Sequence, residues 1–483
     1  MMLRSAGLQV WLPTALATLL IYRLAVLAGA DLPLAPDEAQ YYGWSQALDW
    51  GYYSKPPVIA ALIRISTTLF GDDGFGVRAL ALCLYLGAAL AVHAVAVRLF
   101  DRDIARNAAL VFATLPIVSF GSLYATTDAP MLFFWAIALV CFVRALQTDA
   151  WAAWLGLGLA VGLGLLTKYS LLALPAGLAL YLLWPGTGDW RRLLGPKPWA
   201  AAALAIACLL PNLLWNAAHG SATLRHTAEI TQLDRELLHP IAGLSFLAEQ
   251  WAIFGLLFAP VLVAALARPR ALCAHAGLRL LACTTYPLLA VMSLQGFLAR
   301  AHANWAAAAY VGGSILVVAQ LAHRPRLLAW GLALNIASMV VLYHHADFAR
   351  ALGKPLPQQY DIFARQRGWP DFAAALQPLV AAYPDAALLV ADRTVAAELT
   401  YYLRHQSPRI AAWNPSGRIT DHYRLMQDIR QVPATRYLAV IGEPGALTTA
   451  FESATPLGTV RFAGKSPRNY PILLLENFKG YPR

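Results

Sequence analysis

Charge is what this sequence has least of. Only 13% of its 483 residues are Asp, Glu, Lys or Arg, while 59% are hydrophobic. A water-soluble domain carries about 25% charged residues. So little polar material cannot cover a folded surface in water, and the chain is expected in a bilayer. Lysine is scarcer still, because arginine supplies most of the 37 basic residues. Cysteine is confined to Cys83, Cys141, Cys208, Cys273 and Cys283. With no C-x-x-C pair and an odd total, neither a disulfide framework nor a zinc site is implied. G-x-G-x-x-G and P-loop motifs are missing, so no nucleotide site is indicated. Internal repeats and long low-complexity tracts are missing too. The net charge of +11 would suit nucleic acid. Its placement in short loops between apolar runs suits the cytoplasmic loops of a membrane protein instead.

Apolar runs are what the chain has most of. A spanning helix needs about 20 largely apolar residues. The first run covers residues 8–29. Ala28-Gly29-Ala30 resembles a signal-peptide cleavage site, but Arg23 within the run and the many later runs favour a retained helix. Residues 57–70 are apolar but short, which predicts an amphipathic helix lying in the interface. Further spans are expected at 75–99, 104–123, 127–144, 154–166, 169–184 and 199–215. A polar loop comes next at 216–240, then spans at 244–267, 280–294, 305–321 and 327–343. Arginines at 98, 102, 106, 191, 192, 268, 270, 279, 324 and 326 mark the cytoplasmic side. The count of about eleven puts the amino terminus inside and the carboxyl terminus outside.

From residue 344 the apolar runs shorten and charge rises. Residues 386–390, 437–441 and 472–475 read as strands, and 396–404 and 421–430 as helices. The expected organisation is a polytopic α-helical membrane domain over 1–343 and a small soluble α/β domain over 344–483.

Polar residues other than arginine collect on one face of this topology. Asp37, Glu38, Lys55, Asp128, Lys168, His219, Arg225, His226, Arg300, His302 and Asn304 all fall in outer loops or at outer helix ends. The positive-inside rule should empty those loops of cations, so the lysines there suggest an anion to be neutralised. Each residue also has a plainer reading. Lys168 could snorkel to the interface. Asp128, after Thr126 and Thr127 and before Pro130, could cap a helix. Asp37 and Glu38 could be the acids that a helix start favours. Tyr41, Tyr42, Trp44, Trp50, Tyr52 and Tyr53 surround that acidic pair; they would suit an aromatic belt or stacking on a sugar ring. The histidines are too far apart to be read as metal ligands.

One chemistry uses a carboxylate, outward cations and a bilayer together: sugar transfer from a lipid-linked sugar phosphate. A general base takes the acceptor proton, and cations hold the departing phosphate. At this point Ala-Pro-Asp37-Glu38-Ala-Gln-Tyr-Tyr, Ser-Lys55-Pro-Pro, Thr-Thr-Asp128-Ala-Pro and Leu-Thr-Lys168-Tyr resemble the bacterial integral-membrane glycosyltransferases of the GT-C superfamily. That group includes the lipid A aminoarabinose transferases and is related to the protein O-mannosyltransferases. The resemblance is strongest over residues 31–182 and extends to 300–310. It implies a multi-span bundle with an outer soluble domain and an inverting mechanism. The implied donor is a polyprenyl (undecaprenyl) phosphate sugar; the implied acceptor is lipid A, lipopolysaccharide, another glycolipid or protein, at the periplasmic face of the inner membrane.

By the same resemblance Asp37, Asp128 and Glu38 are catalytic candidates, with Asp37 as base. Lys55 and Lys168 match the family's donor-phosphate ligands, and loop position adds Arg225 and His226 as further candidates for that phosphate. Tyr41, Tyr42, Tyr53, Arg300, His302 and Asn304 are substrate contacts. Ser54 stands where the aminoarabinose transferases carry a metal-binding glutamate, which leaves Glu38 as the candidate ligand for a divalent metal and weakens aminoarabinose as the sugar. The alternative reading is a lipid-linked glycan transporter or flippase. Neither the inverted repeats nor the broken midplane helices common in transporters are seen in the sequence.

Overall fold

The computed structural model describes residues 11–30, 32–231, 237–354, 357, 360–443 and 445–482. The start of the first expected span, Asp31 and residues 232–236 of the expected polar loop lie outside them. The chain opens with α1 (Leu12–Gly29), α2 (Pro36–Gln46), α3 (Val58–Phe70) and α4 (Gly74–Leu99). The expected third span is two helices, α5 (Arg102–Thr114) and α6 (Pro116–Gly121). Pro116 has no N–H to continue α5, so the run breaks there. Next come α7 (Asp128–Thr148), α8 (Trp151–Leu165), α9 (Ala173–Leu182) and α10 (Pro196–Ala218).

The loop expected over 216–240 contains a helix, α11 (Ala222–Thr231). Residues 244–267 are α12 (Pro240–Phe254) and α13 (Phe258–Ala265), bent by 115°. Gly255 makes that bend, with φ +102° and space that a Cβ would take from Asn335 Oδ1 at 2.5 Å. Only glycine meets both demands. After α14 (Pro269–Ala274) come α15 (Ala276–Leu298), α16 (Ala309–Leu321) and α17 (Pro325–Ala351), which kinks at His344.

Among the described residues six helices are long and apolar enough to cross a membrane, or seven if the bent pair is one span. Their outward side chains include Ile21, Leu90, Ile206, Leu214, Val291 and Trp330, as expected of a protein that meets lipid rather than water. Others of the expected spans are shorter helices of 10–17 residues. The molecule is a multi-pass membrane protein carrying a small sheet domain.

Its residues form two compact units. The first comprises Met1–Ala28, Lys55–Leu62 and Arg78–His345. In it α8 packs on α7 and α10, and α15 on α9, α12 and α16. Small residues permit the closest of these contacts: a Cβ on Gly158 would lie 2.3 Å from Ala201 O, and one on Gly162 2.6 Å from Cys208 Cβ.

The second unit joins Gly29–Ser54 and Ile63–Val77 to Ala346–Arg483. After α18 (Trp369–Ala382) it holds a five-stranded sheet, with α19 (Arg393–Tyr402) and α20 (His422–Met426) among its strands. The strands are β1 (Ala387–Val390), β2 (Ile410–Ala412), β3 (Arg436–Val440), β4 (Phe451–Phe462) and β5 (Arg468–Phe478), in spatial order β2-β1-β3-β5-β4. β1 runs parallel to β2 and β3, with Leu388 opposite Ile410 and Leu438. β5 is antiparallel to β3 and β4. Every residue of β1 is buried, which its unbroken apolar run requires. Strands β2 and β4 had no clear sequence signal. In the same unit α19 packs on α2, the Tyr402 hydroxyl accepts a hydrogen bond from Leu34 N at 2.9 Å, and Gly43 lies against Thr400.

Candidate functional site

In the membrane unit, Asp128 opens α7 and is nearly buried, at 9% exposure. Its plain role as a helix cap is not what the side chain does. Lys168 Nζ lies 2.9 Å from Oδ1, and Asn304 Nδ2 donates to Oδ2 at 2.6 Å. Both carboxylate oxygens are thus engaged. Lys168 reaches Asp128 because the chain turns from α8 into a one-turn 3-10 helix at Tyr169, with Lys168 extended at the junction. One of its three N–H donors goes to Asp128. The others have no partner among the described residues, and the side chain is 18% exposed.

The beginning of α3 joins this neighbourhood. Val58 N donates to Leu166 O at 3.1 Å, which ties Lys55-Pro56-Pro57 to the turn carrying Lys168. Lys55 itself is half-buried. Past α15, the loop with Arg300 and His302 leads to Asn304. Partial loss of solvent, then the charges of Arg300 and Lys168, push the His302 pKa below that of an ordinary histidine. His302 is therefore neutral at pH 7, edge-on to Trp305 at 5.3 Å.

A polar network outside the expected set holds the Lys168 turn. Tyr169 donates from its hydroxyl to Asn212 Oδ1 at 2.6 Å and accepts from Asn216 Nδ2 at 3.2 Å. Asn216 Oδ1 accepts from Thr223 N at 3.0 Å, at the start of α11. One network thus fixes the neighbour of Lys168 and the helix carrying Arg225 and His226. Arg225 is exposed and His226 half-buried. Asn212 and Asn216, four residues apart in an apolar run, were the sequence signal for this network.

In the second unit the acidic pair separates into two roles. Glu38 is 1% exposed, and its Oε2 accepts from Ala35 N at 2.9 Å, which caps the start of α2 as the glutamate half of a capping box does. Among the described residues no group of three or more His, Cys, Asp or Glu is placed to hold a metal ion. One Glu38 oxygen is engaged on the helix cap.

Asp37 is 60% exposed, and Arg393 Nη1 donates to its Oδ1 at 2.8 Å and to Gln40 Oε1 at 3.1 Å. Loss of solvent works against the Arg393 charge, but the Asp37 carboxylate outweighs it and holds the guanidinium pKa above its ordinary value. Sequence reading missed Arg393, which lies 356 residues from Asp37.

Tyr41, Tyr42 and Tyr53 are buried, so their rings are engaged in packing rather than open to a sugar. Tyr41 leans on Trp44 at 5.1 Å, and Tyr42 donates to Asp72 Oδ2 at 2.9 Å. Trp44 stacks on Tyr52 at 4.5 Å with His422 edge-on to both. Burial pushes the Tyr52 hydroxyl up to about 12.

Known proteins can be set against this geometry. A family model described as dolichyl-phosphate-mannose-protein mannosyltransferase matches residues 54–215, a stretch that takes in Lys55, Asp128 and Lys168. A lipid A galacturonosyltransferase of Rhizobium johnstonii is 33% identical over 406 residues, covering 83% of this chain and 85% of that protein. An undecaprenyl phosphate-alpha-4-amino-4-deoxy-L-arabinose arabinosyl transferase of Pseudomonas aeruginosa is 33% identical over 193 residues, 36% of this chain and 35% of its own length. In structure the chain is similar to ArnT from Cupriavidus metallidurans, solved bound to undecaprenyl phosphate. The TM-score is 0.66 at 16% identity, over 96% of this chain and 97% of that one. These relatives carry the names of sugar transferases, and with a likeness running along most of the sequence, the chain belongs to the GT-C superfamily of integral-membrane glycosyltransferases.

Proposed function

We propose that this enzyme moves a sugar from a polyprenyl phosphate to a hydroxyl or phosphate of lipid A or lipopolysaccharide, with inversion, at the periplasmic face of the bacterial inner membrane. The observation that carries this reading is the Lys168–Asp128–Asn304 cluster. A lysine fixed by a nearly buried carboxylate, with donors to spare, suits a phosphate that stays at the membrane surface. The solved ArnT with bound undecaprenyl phosphate and the lipid A galacturonosyltransferase support the same donor and acceptor classes.

In the proposed reaction an acceptor oxygen attacks the anomeric carbon. The bond from that carbon to the lipid-phosphate oxygen breaks, and the electron pair stays on the phosphate. Lys168 stabilises the charge that develops there, assisted by Lys55. Asp128 positions Lys168 rather than taking a proton, since both of its oxygens are engaged. Asp37, exposed on α2, receives the proton of an acceptor hydroxyl. His302, Arg300, Arg225 and His226 line the approach of the anionic substrates. With the bent pair, the α5–α6 run and the shorter apolar helices α8, α9 and α16 counted as crossings, and α3 left in the interface, the proposed topology has eleven spans, with the sheet domain outside. Mass spectrometry of envelope glycolipids from cells with and without the protein tests this. Lipid A or core species heavier by one sugar are expected only in cells that have it. Identical glycolipid profiles would refute the reading.

A further inference from the structure

Arg393 shows how its five donors are used. Both hydrogens of Nη1 are accounted for, one on Asp37 Oδ1 at 2.8 Å and one on Gln40 Oε1 at 3.1 Å. Gln40 is 2% exposed, so this side of the fork is bound to a fixed wall. Nothing among the described residues takes a hydrogen bond from Nη2 or Nε. The side chain as a whole is 42% exposed. The unused edge is the planar pair of N–H groups that fits two oxygens of a carboxylate or phosphate at once.

The location is also unusual for a cation. Arg393 is the first residue of α19, where the helix dipole favours negative charge. The neighbouring Asp392 turns to the backbone N–H groups of Thr394 and Val395 instead of pairing with the guanidinium. Asp37 offsets the charge on one edge and leaves the other open.

We propose that the Nη2/Nε edge of Arg393 binds an oxyanion of a substrate, either the carboxylate of an acidic donor sugar or a phosphate of the acceptor. The guanidinium then joins that anion to Asp37 through one rigid plane, so recognition of acidic substrate and orientation of the base depend on the same side chain. This rests on the transferase reading above, and it adds to it a preference for anionic over neutral substrates.

The test uses the full-length protein in lipid nanodiscs, with Arg393→Ala and Arg393→Lys beside the wild type. Binding is titrated for undecaprenyl phosphate-linked galacturonic acid against undecaprenyl phosphate-linked galactose, and for lipid A against its dephosphorylated form. The ratio of affinities within one pair should fall about tenfold or more in Arg393→Ala, the cost of losing one charge-assisted contact. Arg393→Lys should fall between, since an ammonium keeps the charge and loses the fork. A fall in the donor pair identifies the sugar carboxylate, and a fall in the acceptor pair identifies the phosphate. Ratios within twofold of wild type in both pairs overturn the proposal, even if turnover drops. Because binding is read without turnover, an absence of sugar transfer by the wild type would count against the transferase reading alone.

Discussion

At the scale of single residues, Asp37 and Lys168 can be separated by what each variant loses. Asp37→Asn should lower kcat by about a hundredfold or more in proteoliposomes with the fold intact. Turnover near wild type would remove Asp37 as base. Lys168→Ala should raise KM for the lipid-linked donor, and an effect on the acceptor alone would relocate the phosphate. His302 gives a pH prediction. Its pKa in the folded protein is lower than in the unfolded chain, near 6.5. Below that value the unfolded chain takes up the proton first, so stability falls as pH drops. Between pH 7.5 and 5.5 the wild type should therefore lose more thermal stability than His302→Gln, and equal losses would contradict this. Lys168 and Asp128 were legible in the sequence because a charge is rare between apolar runs. Arg393 was not, because it is one arginine among many in a polar segment and nothing local marks its partner.

At the scale of elements, the tight seam is α8 on α10. Gly158 and Gly162 stand one turn apart on α8 and let the Ala201–Ala205 stretch of α10 come within contact of its backbone. A methyl at Gly158 would sit against Ala201 backbone atoms, which cannot rotate away. Gly158→Ala should cost about 1–3 kcal/mol by overpacking, measured as a lower unfolding temperature in detergent. Gly29→Ala meets nothing within 4 Å and should leave it unchanged. Equal behaviour of the two variants would refute the close seam. Helix positions were readable from apolar run length, and most expected runs are helices. Breaks were less readable, since Gly255 and Pro116 interrupt runs whose average composition stays apolar. The helix α11 went unseen because its polar sequence reads as loop, while the Asn216–Thr223 bond that fixes its start is a tertiary contact.

For the whole molecule, the organising fact is that a compact unit draws on three separate stretches of chain. Composition marked a change near residue 344, but no composition shift shows that residues 29–54 and 63–77 pack with the carboxyl-terminal segment. A chain ending at His345 should keep its membrane helices and lose the partner of α2. Limited proteolysis should then cut within residues 30–54, where the full-length protein resists, and sugar transfer should be abolished. An unchanged digestion pattern would mean that α2 is held without the sheet domain.

The discontinuity of this unit also sets a schedule for synthesis. Asp37 leaves the ribosome 356 residues before Arg393. At roughly 5–20 residues per second, α2 waits on the order of 20–70 seconds for its partner. During that interval its buried aromatics, Tyr41, Tyr42 and Trp44, have no sheet domain to cover them. The nascent first loop thus keeps these rings uncovered until the segment carrying α19 and α20 has been made.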